Sequence, residues 1–328
     1  MNHWYKFLAI FDLSKLRRIK DDEELQFRLW TATKITLIPL VTFSFLILLI
    51  LLLLKINLIF FESRGYPNMQ TMKDTFYTYI FSSLLDLLPF VIPFCVLIFI
   101  KGLYVAYLMM RPFEEIGRYC DNAINSRNSV YDPDFFSDLK LLTRFSEFFF
   151  IETARMISNG SMSTIEVPKK FMRIHTPVFE GSFFIQFLSI LMITSIYVGV
   201  AIHMAVVGIY EGMVKLSLES LRYDKTIIYF LEEQKDILIQ ISIVALVLHL
   251  CLYLTLSINL YSKVSAPAFG IFATMRAFIK GNRTARVHLI GYYYVRTYCR
   301  SLNQYLNNLE RLSLQLKSKT EEINKTNS

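Results

Sequence analysis

The chain has 328 residues, 54% of them hydrophobic, a mean hydropathy of +0.39 and a formal net charge of +8. That balance excludes an ordinary soluble domain and points to an all-α membrane protein. The positive charge does not call for nucleic acid, because basic segments beside membrane helices face anionic membrane lipids, each residue contributing about 1 kcal/mol. Cys95, Cys120, Cys251 and Cys299 form no CxxC pair, so neither a disulfide framework nor a zinc site is indicated.

Residues 1–35 are charged and lack an early apolar run, so no cleavable signal peptide is expected. Within them Met1–Leu16 mixes aromatic, aliphatic and basic residues. This suits a helix in the headgroup layer, and equally a short helix packed on the cytoplasmic domain. Four segments are long enough to cross a hydrocarbon core of about 30 Å, which takes about 20 apolar residues. They are Thr36–Phe61, Tyr79–Met110, Ser182–Tyr210 and Ile237–Ser262. Of the 35 Lys and Arg, 27 lie in the N-terminal, central and C-terminal segments and six in the two loops between. The positive-inside rule then puts both termini in the cytoplasm of a cell whose plasma (inner) membrane the chain spans. The outer loops Phe61–Thr78 and Glu211–Asp236 are too short for a ligand-binding domain. Val214, Leu218, Leu221, Ile227, Ile228 and Leu231 suggest that the third and fourth helices continue past the membrane.

The chain reads as an internal duplication. Transmembrane hairpin 36–110 is followed by a helical module 111–165 and a linker 166–181; hairpin 182–262 is followed by module 263–318 and a polar tail 319–328. In the first module Pro112 opens a helix with apolar residues at Phe113, Ile116, Tyr119, Cys120, Ala123 and Ile124. Asn125–Pro133 is the connector, and a second helix starts near Ser137 and runs through Leu139, Leu142, Phe145, Phe148, Phe149 and Met156. In the second module Pro267 opens a helix that ends at Lys280-Gly281-Asn282, where Gly281 and Asn282 tolerate a left-handed C-terminus. Arg283–Ile290 is its connector. The last helix, from about Tyr292, repeats Leu302, Leu309 and Leu316 every seven residues, with Tyr305 and Leu312 between them: a short coiled-coil seam.

Pro267, the Ile279–Asn282 turn, Arg286-Val287 and Leu302-Asn303 together resemble the HAMP linker family, over Ser265 to about Leu316 and more faintly over Arg111 to about Met156. The family's usual acid-then-glycine at the start of the second helix is replaced by Gly291-Tyr292-Tyr293-Tyr294. The resemblance implies a bacterial signal-transduction protein in which two linker copies pack as a parallel four-helix bundle. Pro112 and Pro267 lie 155 residues apart, so one chain carries both copies. It is expected to close as an intramolecular pseudo-dimer or, failing that, as a homodimer.

Ionisable groups inside spans are functional candidates, since burying them in hydrocarbon is costly. Lys55, Asp86 and His203 lie at similar depth and His249 deeper. They form a protonatable cluster, or else Lys55 snorkels and Asp86 sits at a wet interface. Pro89 and Pro93 can kink the second span. No GxxxxGK[ST], GxSxG or HExxH occurs, and the five histidines lack metal-ligand spacing, so no catalytic residue, cofactor or metal is expected. Twelve residues after Leu316 are too few for an output enzyme. The expected function is a non-enzymatic relay that couples the membrane helices to a cytoplasmic or membrane protein partner, with Pro112 and Pro267 as hinges and Leu302, Leu309, Leu312 and Leu316 as the docking surface. A scaffold of a larger membrane complex (motor or secretion type) and a small proton-conducting transporter are the alternatives.

Overall fold

A computed structural model describes residues 22–66, 68–125, 131, 139–159, 164–171, 180–220 and 225–326, with side chains of the last helix described as far as Gln315. Among the described residues six α-helices follow in order: α1 (Glu23–Ser63), α2 (Met69–Asn125), α3 (Lys140–Ser158), α4 (Gly181–Ser220), α5 (Lys225–Ile279) and α6 (Arg296–Thr326). Short 3₁₀ turns occupy Lys169–Phe171 and Tyr293–Val295, and no strand occurs among the described residues. Helices α1, α2, α4 and α5 are each long and apolar enough to cross a membrane. At 1.5 Å per residue, the 57 residues of α2 extend about 85 Å, far more than the core thickness demands. The surplus runs into the segments that the sequence assigned to loops and modules.

The chain divides into two compact units. The polar unit comprises residues 1–30, 103–187 and 258–328, and the apolar unit comprises 31–102 and 188–257. In the polar unit four helical segments bury stripes with steps of three and four. These are Ala106, Met109, Phe113, Ile116 and Cys120 of α2, then Leu142, Ser146, Phe149, Thr153 and Met156 of α3. They continue with Val264, Ala268, Ile271, Met275 and Phe278 of α5, and Cys299, Leu302, Leu306, Leu309 and Ser313 of α6, with Val295 of the preceding 3₁₀ turn in line with them. A stripe of this spacing places one row of knobs along each helix toward a common core. Aromatic rings fill that core: Phe145 stands 4.4 Å from Phe272, Phe149 6.2 Å from Phe278, and Tyr119 4.1 Å from Phe150.

These contacts also fix direction. Along α3 and α5 the pairs Phe145–Phe272 and Phe149–Phe278 ascend together, so the two segments run parallel. Along α2 and α6, Gly117 lies on Tyr298 and Tyr119 faces Tyr305 at 6.1 Å, again ascending together. A Cβ on Gly117 would come within 2.7 Å of the Tyr298 ring, so glycine is what permits this approach.

Pro112 and Pro267 do not open new helices, as the spacing rules had led us to expect. Both are buried inside the unbroken helices α2 and α5. No glycine or asparagine stands just before either proline to end the preceding turn, and packing of the flanking residues keeps the helix going despite the lost N–H. Of the stretch 166–181, residues 166–171 and 180–181 are described. Val167 and Phe171 are buried, and the Ile165 N–H donates to the Ile279 carbonyl at 3.3 Å. Ser137, Met1–Leu16 and most of Asn125–Pro133 lie outside the described residues; Tyr131 packs 4.9 Å from Phe150.

The apolar unit is built from the membrane-length portions of α1, α2, α4 and α5. Helix α2 buries Phe76, Ile80 and Ile98 but nothing between Phe81 and Leu97, so this stretch presents a nearly continuous lipophilic face. The buried stripe of α5 is different in kind. Through the apolar region it reads Leu231, Gln234, Leu238, Ser242, Ala245, His249, Tyr253, Ser257 and Leu260, so polar side chains recur along it.

Candidate functional site

Two sets of residues combine burial with specific polar contacts, one in each unit. In the polar unit the extended connector before α6 is pinned by one side chain. Asn303 accepts from the Val287 N–H at 2.8 Å and donates to the Val287 carbonyl at 2.9 Å, while the Val287 side chain is itself buried. A strand-like segment without a neighbour strand needs such partners for its main chain. Arg286 adds a bond from Nε to Asn307 Oδ1 at 2.6 Å and an ion pair with Glu310. At its other end the connector starts from a Schellman cap. The Asn282 N–H reaches the Ala277 carbonyl at 3.0 Å, the Gly281 N–H reaches Phe278 at 3.1 Å, and Gly281 takes φ +109°. Gly281 and Asn282 therefore end α5 as their sequence predicted.

The start of α6 is tied to α1 and α2. Phe27 stacks on Tyr294 at 4.3 Å, Arg296 pairs with Glu23 at 2.9 Å, and the Tyr298 hydroxyl donates to Glu24. Glu24 and Glu114 both face Arg28, and Arg118 joins Glu114 at 2.6 Å. Burial raises the Tyr298 phenol, and the neighbouring Glu24 carboxylate raises it further, so it stays a donor. The Tyr294 hydroxyl donates to the Lys263 carbonyl at 2.7 Å. The first module is tied differently. Helix α3 has no capping side chain at Leu139; instead the Glu180 carboxylate accepts from the Leu141 and Leu142 N–H groups, the latter at 2.9 Å. Burial raises the pKa of Glu180, and the main-chain bonds partly offset that shift. Deep in the core the Thr153 hydroxyl meets Tyr305 at 3.0 Å.

The apolar unit contains the membrane candidates. Lys55 and Asp86 are both exposed, and no ion pair joins them. His203 is not grouped with either: its Nδ1 bonds Ser242 Oγ at 2.8 Å. No hydrogen bond or ion pair joins Lys55, Asp86 and His203 to one another, and the two charged groups are exposed while His203 is bonded to α5. His249 is buried, with Nδ1 2.9 Å from Thr42 Oγ1 and the ring 5.1 Å from Tyr253. The Tyr253 hydroxyl donates to the Ile35 carbonyl at 2.7 Å. Further along, the Tyr210 hydroxyl is shared between the Leu231 carbonyl and Gln234 Oε1, each at 3.2 Å, and the Asn57 amide is fully buried. These groups form a hydroxyl, imidazole and amide seam running along α1, α4 and α5.

Sequence reading found His203 and His249 but missed Asn57, Thr42, Ser195 and Tyr210, because single uncharged polar residues do not interrupt an apolar run, and Gln234, because it stands among charged residues read as an outer loop. On α6, Leu302 and Leu309 are buried as expected, but Leu312 is only half-buried. The seam instead uses Leu306 and Ser313. Leu316 lies beyond the described side chains. Among the described residues no group of three His, Cys, Asp or Glu side chains can hold a metal ion. No protein-family model matches the chain, and neither a curated protein nor a solved structure matches it.

Proposed function

We propose that the chain is a helical relay in which one polypeptide supplies both halves of a HAMP-like parallel bundle. The observation that carries this reading is the shared core of α2, α3, α5 and α6, whose aromatic pairs ascend together along each helix pair. Helices α2 and α5 continue without a break from membrane-length apolar sequence into that core, so a shift or rotation along them reaches α3 and α6 directly. Asn303 and Arg286 tie the connector that follows α5 to α6, and Glu180, just before α4, ties that end of the chain to the start of α3. The recipient is a protein partner bound at the polar unit, reached through the exposed side of α6, where Leu314 is 61% exposed.

The reading requires two discrete arrangements of the bundle. Spin labels at the exposed positions Arg155 of α3 and Arg311 of α6, in the full chain in lipid nanodiscs, should give two distances by electron double resonance. Pro112→Ala and Pro267→Ala should change their ratio. A single distance, insensitive to both variants, would mean a rigid scaffold instead. The polar seam of the apolar unit supports a second reading, proton conduction. That reading predicts proton flux in vesicles that survives truncation after Gly291 and stops in His249→Leu, the opposite of what a relay needs.

A further inference from the structure

Within the apolar unit α2 meets its neighbours closely at two places. Gly102 lies on Ala32 of α1, where an added Cβ would come within 2.7 Å of the Ala32 Cα. Towards the other end Gly212 of α4 makes room for the Tyr79 ring, and the Tyr79 hydroxyl donates to the Ile209 carbonyl at 3.4 Å. Residues 79 to 102 span about 35 Å of helix, so α2 passes from α4 to α1 over most of a membrane core. Between the two contacts α1, α2 and α4 enclose a crevice of about 390 Å³.

Every residue that lines it is apolar. On α2 the wall is Leu87, Val91 and Cys95, half-buried at steps of four, while the next residues Leu88, Ile92 and Val96 are exposed. Opposite stand Phe43 of α1 and Ala201 and Ala205 of α4, whose single methyl groups leave room that longer side chains would take. A small polar ligand would need placed donors or acceptors to orient it, and this wall supplies none. A further transmembrane helix, about 10–12 Å across with its side chains, is too thick for a crevice of this volume. One hydrocarbon chain suits it in width and in chemistry.

One end of the crevice is charged. Ile98 lines it, and Lys101 follows Ile98 by three residues and Phe94 by seven, on the same face of α2. Lys101 is exposed, and no hydrogen bond or ion pair engages it among the described residues. Lys34 of α1 is near the same level but stands two residues from Ala32, off the face that meets α2. A lone cation at the end of a hydrocarbon slot complements a phosphate joined to an acyl chain, and most of all a headgroup of net negative charge.

We infer that the crevice between α1, α2 and α4 binds one anionic phospholipid of the bilayer. An acyl chain lies between α2 and the α1–α4 surface, and the phosphate rests at Lys101. The lipid fills the gap that the two glycine contacts leave between them, so it acts as a packing element of α2.

Native mass spectrometry of the full chain, released from nanodiscs of equal phosphatidylcholine and phosphatidylglycerol, tests this. The expected result is one retained phosphatidylglycerol, favoured severalfold over phosphatidylcholine. Lys101→Gln should remove the preference while a lipid of either kind is still retained, and Lys34→Gln should leave it. Ala201→Leu with Ala205→Leu, which fills the crevice, should strip the retained lipid. No retained lipid in the wild type overturns the site, and so does equal retention of the two lipids. A preference that survives Lys101→Gln, or falls equally in Lys34→Gln, overturns it too, since attraction to the basic surface as a whole would then suffice. A lipid-free dimer would give this face to a second copy. If the filled variant does not fold, as judged by elution and melting, a single-tryptophan chain (Trp4→Phe, Trp30→Phe, Phe94→Trp) reads the crevice directly. Phosphatidylglycerol with brominated chains should quench it severalfold more than brominated phosphatidylcholine, and equal quenching overturns the proposal.

Discussion

Asn303 carries more of the polar unit than its half-buried surface suggests. Its amide satisfies both main-chain groups of Val287, accepting from the N–H and donating to the carbonyl. Asn303→Ala leaves two groups without partners, at about 1–3 kcal/mol for each one kept from water. Asn303→Asp keeps the acceptor and loses the donor, so it should cost roughly half as much. Chemical denaturation of the purified chain in detergent, followed by tryptophan-independent circular dichroism, measures both. Equal stability of wild type and Asn303→Ala would show that the connector is held by Val287 burial alone.

Glu180 makes a prediction about pH. Its pKa is raised in the folded chain because burial penalises the carboxylate. The folded state then holds the proton more tightly than the unfolded one. Its contribution is fully present below the unfolded carboxylate value of about 4.3 and is lost as pH rises through the folded pKa. Melting temperature should therefore fall on raising pH across that window, and Glu180→Gln should flatten this part of the profile. Glu180→Ala removes the acceptor as well; it should flatten the same part of the profile and cost about 0.5–2 kcal/mol at its low-pH end, as other lost caps do. A profile of the same shape in wild type and Glu180→Gln would assign the slope to other carboxylates.

At the level of elements, register decides which leucines matter. Leu302 and Leu309 were legible from a seven-residue repeat, but the intermediate positions were not. Tyr305, Leu306 and Leu312 all satisfy helical spacing, and only packing shows that Leu306 faces the core while Leu312 sits at its edge. Leu306→Ala should cost about 2–5 kcal/mol, the range for truncation in a packed core. Leu312→Ala should cost much less. Similar losses for both would move the buried stripe of α6 by part of a turn. The prolines teach the complementary lesson. Proline suits a first helical turn, yet the same residue is tolerated inside a helix whose neighbours hold it, so Pro112 and Pro267 mark no boundary in α2 and α5. The cap at Gly281 was readable because a left-handed residue has few alternatives to glycine. Glu180 was not readable as a cap, since it lies 38 residues from the N–H of Leu142 that it serves.

The whole molecule poses the question of closure. Duplicated order in the sequence suggested two copies of one module, but sequence order alone does not say whether copies pair within a chain or between chains. In the polar unit α3 of the first copy meets α6 of the second through Thr153 and Tyr305, and meets α5 through Phe145 and Phe272. Each of these contacts joins residues more than a hundred positions apart in one polypeptide, the arrangement that closure within the chain expects. Replacing the four native cysteines and introducing Thr153→Cys with Tyr305→Cys turns this into a gel measurement. Closure within the chain predicts an oxidised product that migrates as a compact monomer, at a yield independent of protein concentration, from a particle whose scattering mass minus detergent matches 38.4 kDa. A homodimer that exchanges its modules predicts a cross-linked species of twice that mass, and mixing tagged with untagged chains before oxidation would yield the mixed pair. Steric distortion at the new cysteines lowers the yield in both cases but does not convert one product into the other, because the partner sulfur is either on the same chain or on another. The monomeric product would also mean that the bundle needs no assembly step. Its two halves are made at equal concentration and held at short tether, so bundle stability is set by packing and not by expression level.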